Sequence, residues 1–167
     1  MTQEMKKIWQ EAQKGEKEAM TDVGFAYQEG SDGLPQDWAK AATWFQKAAL
    51  QSEPHAVMSL GVLYINGTGV DQCWGRAFIE LSRAATLGSE HAAISIGRRL
   101  SQGSGVVKKD MDAARFWFNL SKTCKNHDSC ETYVKERDMW LAKHGTNYTH
   151  SCNCLLYTSD AADDRVS

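Results

Sequence analysis

Apolar residues recur at helical spacing along most of the chain, and short glycine-rich stretches interrupt them at regular intervals. Ala56, Leu60 and Tyr64 form one stripe, and Ala77, Leu81 and Ala84 form the next. Spacings of three and four place each set on one face of an α-helix. The same pattern precedes and follows this stretch, so the chain reads as a succession of helix, short loop, helix.

The glycines show that this succession is a repeat. Gly24, Gly61 and Gly97 are separated by 37 and 36 residues, and each is followed six positions on by Gly30, Gly67 and Gly103. A third set stands at Gly33, Gly69 and Gly105. A period near 36 marks a stacked repeat array, in which each unit buries its apolar face against its neighbours. Ala19, Ala56 and Ala92 keep the same frame, as do Tyr27, Tyr64 and Leu100. Beyond the loop come Ala41, Ala77 and Ala113, then Phe45, Leu81 and Trp117. Ala48-Ala49, Ala84-Ala85 and Leu120-Ser121 close the unit. One extra loop residue in the first repeat accounts for the spacing of 37. The repeats are placed at 16–52, 53–88 and 89–125, within an array over 1–125. A half-repeat, Ile8 to Gly15, precedes them.

Local chemistry sets further expectations. A mid-helix glycine costs about 1 kcal/mol relative to alanine. Its return at Gly24, Gly61 and Gly97 therefore predicts close approach of a neighbouring helix backbone, helped by small residues such as Ala48 and Ala84. The loop glycines are expected to end the first helices in the left-handed conformation. Ser52 and Ser89 are expected N-caps, and Pro54 suits a first helical turn.

The run Leu60-Gly61-Val62-Leu63-Tyr64-Ile65-Asn66-Gly67-Thr68-Gly69 resembles the core of a Sel-1-like repeat, a relative of the tetratricopeptide repeat. The segment Asp37-Trp38-Ala39-Lys40-Ala41-Ala42-Thr43-Trp44-Phe45-Gln46-Lys47-Ala48-Ala49 resembles its second helix. The third unit departs most, with Leu100 for the aromatic and Ser121 for the second alanine. The resemblance implies an all-α fold, a right-handed α-solenoid of helix-loop-helix repeats. It also implies a non-catalytic adaptor or scaffold that binds protein or peptide on the concave face. If the first helix of each unit lines that face, its outward positions are Thr21, Phe25, Gln28 and Glu29, then His55, Met58, Val62, Ile65 and Asn66. In the third unit they are His91, Ile94, Arg98, Ser101 and Gln102. Two alternatives accompany this reading. One is a structural spacer within a larger repeat protein. The other is a penicillin-binding or β-lactamase-like hydrolase, as in cysteine-rich relatives. Against the hydrolase, no Ser-x-x-Lys occurs, and Cys73 is the only cysteine before Cys124. No enzyme activity and no cofactor are expected.

Charge narrows the partners. Nineteen basic against 21 acidic residues give a net charge of −2, with basic residues only in scattered pairs. Such a surface offers little to nucleic acid. The apolar run from Ala56 to Ile65 is too short for membrane insertion. The amphipathic start lacks a secretory apolar run, which favours a cytoplasmic location. A secreted or periplasmic one follows if the N-terminus is incomplete, and three sequons, at Asn66, Asn119 and Asn147, would then matter.

The C-terminal region differs from the array. Residues 126–153 are read as a capping helix and tail, with Tyr133, Val134, Met139, Trp140 and Leu141 supplying the apolar face of a helix from Glu131 to Lys143. Cys124, His127, Cys130, Cys152 and Cys154 fit known zinc spacings poorly. Reduced thiols are expected, with a Cys124–Cys130 disulfide left open and no metal assigned. Residues 154–164 resemble a translated sequencing-library adapter, so 154–167 are read as a non-native tail.

Overall fold

The computed structural model describes residues 1–103, 107–124 and 131–145. Among them lie eight helices: α1 (Gln3–Lys14), α2 (Lys17–Glu29), α3 (Trp38–Leu50), α4 (Pro54–Asn66), α5 (Trp74–Thr86), α6 (Glu90–Gln102), α7 (Met111–Ser121) and α8 (Glu131–His144). The chain divides into two compact units, Met1–Cys73 and Trp74–Ser167.

In the first unit α2 packs along α3, with α1 against α2 and α4 against α3. Val23, Ala41, Phe45, Ala48 and Val57 are fully buried between them. The half-repeat is helical, as its sequence predicts. Trp9 of α1 meets Tyr27 and Trp44 edge-on, with ring centroids 6.0 and 5.3 Å apart. In the second unit α6 packs along α7, α5 lies against α6, and α8 rests on both α6 and α7. Leu81, Ile94, Ile96, Leu100 and Ser121 are fully buried there.

The helical glycines do admit a close neighbour, but it is an aromatic ring and not a backbone. A Cβ on Gly24 would stand 2.5 Å from the Phe45 ring, and one on Gly97 would stand 2.7 Å from the Phe118 ring. Each glycine is a notch that receives a phenylalanine from the second helix of its pair. The alanines Ala48 and Ala84 are buried, but they do not explain the notch.

That pairing corrects the register of the third repeat. The loop between first and second helix is closed by one backbone hydrogen bond in each repeat. The amide of Asp37 donates to the Tyr27 carbonyl (2.8 Å), that of Cys73 to Tyr64 (3.0 Å) and that of Asp110 to Leu100 (2.9 Å). The first and third loops are therefore equally long, and the second is one residue shorter. Asp37 and Asp110 are matching N-caps whose carboxylates accept from the amides of Lys40 and Ala113. Phe45 thus corresponds to Phe118 and not to Trp117, Ala41 to Ala114, and Ala48 to Ser121. The serine occupies the slot of the first alanine, not the second.

Two other expectations change. Ser52 does not cap α4; it sits at φ 57°. The cap is Glu53, whose Oε2 accepts from the Ala56 amide at 2.6 Å. Ser89 caps α6 as expected, accepting from the Ala92 amide at 3.2 Å, and Pro54 opens α4. Gly30 and Gly67 end α2 and α4 in the left-handed conformation, whereas Gly103 has φ 68° and ψ 146°, an extended turn away from α6. Cys124 is buried, with its Sγ 3.6 Å from the Ser89 carbonyl oxygen. Gly105, His127, Cys130, Asn147, Cys152, Cys154 and the adapter-like tail lie outside the described residues, as does the side chain of Tyr133.

Candidate functional site

In the first unit, the side of α2 turned to solvent carries Glu18, Asp22 and Glu29, with Phe25 and Gln28 half-buried at its edge. Positions 18, 22, 25 and 29 fall on one helical stripe. Phe25 is held by an edge-on contact with Phe45, centroids 5.1 Å apart. Partial burial, together with the nearby carboxylates of Glu53 and Glu18, pushes the Asp22 carboxyl above its ordinary range. On α4, His55 and Asn66 are exposed, and Met58, Val62 and Ile65 are half-buried.

Two of the expected outward positions are not outward. Thr21 is buried, with its hydroxyl 2.9 Å from the Lys17 carbonyl and 3.1 Å from Glu53 Oε2. Ile94 on α6 is also buried, at 1% exposure. Both occupy the position that Met58 holds on α4, on the flank of the helix and not at its crest.

In the second unit, α6 presents Gln102 to solvent, with His91, Arg98 and Ser101 half-buried. Alongside it runs α8, whose Glu136 lies 3.8 Å from the Arg98 guanidinium. Between α6, α7 and α8 is a cavity of about 300 Å³. Its apolar wall is Ile94, Met111, Phe118 and Trp140, and its polar wall includes Arg98, Gln102, Lys109, Glu136 and His144. The structure thus brings Arg98 and Gln102 into one site, with Ser101 also on its wall. Phe25, Gln28 and Glu29 lie on α2, and His55, Met58, Val62, Ile65 and Asn66 on α4.

Sequence reasoning missed the α8 contribution. Arg137 reaches from α8 to Glu90 at the start of α6 (2.6 Å) and to the Ser121 hydroxyl at the end of α7 (3.2 Å). Burial works against its charge, but hydrogen bonds to Asp138 and Glu90 outweigh that and hold its pKa above the ordinary value. The Asp138 carboxyl is held low by its bond to Arg137. At the other end of α8, the Arg115 guanidinium donates to the carbonyls of His144 (2.8 Å) and Gly145 (3.0 Å). The readable signal was Ser121, a polar residue in an alanine slot, whose hydroxyl donates to the Phe118 carbonyl and accepts from Arg137.

The Sel1 repeat pattern matches residues 17–53, 54–72 and 91–124, more than half of the chain. The chain belongs to the Sel1 repeat family. A Sel1 repeat protein from Oxalobacter formigenes superimposes with a TM-score of 0.66 at 28% identity, over 83% of this chain and 100% of that one. A protective antigen of uropathogenic Escherichia coli strains, displaying an SLR fold, gives a TM-score of 0.54 at 24% identity, over 85% of this chain and 40% of that one. In sequence, 59 residues are 42% identical to the ERAD-associated E3 ubiquitin-protein ligase component HRD3A of Arabidopsis thaliana. That stretch is 35% of this chain and spans 9% of the length of HRD3A. The all-α Sel1 repeat fold read from the sequence is therefore the fold of this chain, and Sel1 repeats are typically protein-interaction modules. Among the described residues, no helix is long and apolar enough to cross a membrane.

Proposed function

We propose that this Sel1 repeat chain is a non-catalytic adaptor. It binds polypeptide on the sides that α2 and α4 of the first unit, and α6 of the second, turn to solvent. The observation that carries the reading is the half-buried apolar row Phe25, Met58, Val62 and Ile65, flanked by exposed Glu29, His55 and Asn66. Apolar centres with polar ends suit an extended or helical peptide. The likeness to HRD3A, a component of a larger assembly by its name, supports a protein partner.

The test is affinity capture from source lysate with the full chain and with Val62→Glu, each checked for helical circular dichroism. A stoichiometric polypeptide held by the parent and lost by the folded variant supports the reading. Capture of the same polypeptide by both moves the contact away from α4. A parent that stays folded and captures nothing favours a spacer role.

A further inference from the structure

The neighbouring helices α2 and α4 of the first unit turn two different lines of side chains to solvent. Near their starts the two helices are joined by the Thr21 hydroxyl, 3.1 Å from Glu53 Oε2. On α2 the line is acidic. Glu18, Asp22 and Glu29 are exposed and fall on one stripe about 16 Å long. Lys17 is the only base in α2 and lies 3.7 Å from Glu18, while Asp22 and Glu29 make no ion pair among the described residues. Partial burial, Glu53 and Glu18 all oppose the charge on Asp22, and a cation alongside would relieve that cost.

On α4 the line is apolar. Met58, Val62 and Ile65 are half-buried, and α4 contains no Asp, Glu, Lys or Arg. Phe25, half-buried on the Thr21 side of the acidic line, extends the apolar surface onto α2. Acidity alone would attract any cation; the apolar line beside it selects a shape. An extended peptide alternates its side chains between opposite faces and so lays a single line of them on a surface. An amphipathic helix lays an apolar line and a polar line side by side. The charges then fix which edge is basic: cations over α2, none required over α4.

We propose that the α2–α4 face binds an amphipathic helix of a partner protein, basic along one edge. Its apolar stripe rests on Phe25, Val62 and Ile65, and its Lys or Arg side chains lie over Glu18, Asp22 and Glu29. The proposal rests on the polypeptide-binding reading above and names the chemistry of the partner.

The test is fluorescence anisotropy of the intact chain with labelled helical peptides of about 18 residues, long enough to cover the face. One carries a leucine stripe with lysines along one edge. A second has glutamates for those lysines, and a third is the first with its sequence scrambled. The lysine peptide is expected to bind at least about tenfold more tightly than either other peptide at ~0.1 M salt, and to lose most of its margin over the glutamate peptide at ~1 M. Glu18→Lys with Glu29→Lys, checked for helical circular dichroism, is expected to weaken its binding about tenfold. Glu4→Lys with Glu131→Lys changes the net charge equally, at exposed sites on α1 and α8, and is expected to leave binding within about twofold. Equal binding of the lysine and glutamate peptides, equal binding of the scrambled peptide, or equal loss in the two doubly reversed variants overturns the proposal. If lysate capture remains sensitive to Val62→Glu while the lysine peptide does not bind, the basic helix falls and the adaptor reading stands.

Discussion

Arg137 Nη1 lies 2.6 Å from Glu90 Oε1, and both side chains are at most 7% exposed. An ion pair this deep joins α8 to α6 by charge where the repeats join one another by apolar contact. Removing Arg137 takes this cation away from a carboxylate that is only 5% exposed. Arg137→Ala is therefore expected to destabilise the chain by about 3–5 kcal/mol, read by urea unfolding. Replacing both, as Glu90→Leu with Arg137→Met, is expected to recover most of that loss. A single variant as stable as the parent would show that the pair does not hold α8.

Gly24→Ala looks favourable on helix propensity, by about 1 kcal/mol. The Phe45 ring decides otherwise, because the new methyl would stand 2.5 Å from it. Overpacking of this kind costs about 1–3 kcal/mol. The net expectation is a lower melting temperature for Gly24→Ala and partial recovery in Gly24→Ala with Phe45→Leu. Simple stabilisation by Gly24→Ala would remove the notch as the reason for the glycine.

Asp22 carries a sign that can be tested by pH. Its carboxyl pKa is raised above the ordinary aspartate value of 3.8 by partial burial and by Glu53 and Glu18. The unfolded chain then releases this proton at lower pH than the folded chain, so stability falls as pH rises through that interval. Asp22→Asn is expected to stabilise the chain at pH 7, with the gain fading as pH falls through the raised folded value and absent below 3.8. Thermal unfolding of both forms across that range checks it. A gain that persists in acid would point to a cause other than charge.

Glu53 caps α4 and also receives Thr21, so it ties α2 to the start of the next repeat. Glu53→Ala is expected to cost about 1–2 kcal/mol, mostly from the lost cap, since the Thr21 hydroxyl keeps the Lys17 carbonyl as its acceptor. Glu53→Ser is expected to restore the cap, since Ser89 performs that task at the matching position on α6. Differential scanning calorimetry of the two variants separates these outcomes.

The repeat frame was legible because glycine and alanine leave few alternatives. Gly24, Gly30, Gly61 and Gly67 fixed the first helices and their ends, and Ser89 and Pro54 fixed two helix starts. The third repeat was misaligned by one residue because Trp117 and Phe118 are adjacent aromatics and either satisfies the pattern. The notch beneath Gly97 and the matching caps Asp37 and Asp110 choose between them. The solvent-facing sides of α2, α4 and α6 were legible as stripes, but Thr21 and Ile94, both buried, were placed on them wrongly. Whether the flank of a helix is covered depends on neighbours that periodicity cannot name. The cavity was not legible at all, because more than a third of its wall, from Glu136, Arg137, Trp140 and His144, comes from α8, which carries no repeat signal.

The buried Glu90–Arg137 pair also sets a rule for anyone wishing to lengthen this protein by design. The second repeat carries Pro54 where the third carries Glu90, and the first two carry Ala48 and Ala84 where it carries Ser121. A fourth consensus repeat grafted after α7 in place of α8 would take Arg137 away from Glu90. Such a graft calls for Glu90→Pro and Ser121→Ala together, which turns a helix-specific lock back into a surface that any further repeat can share.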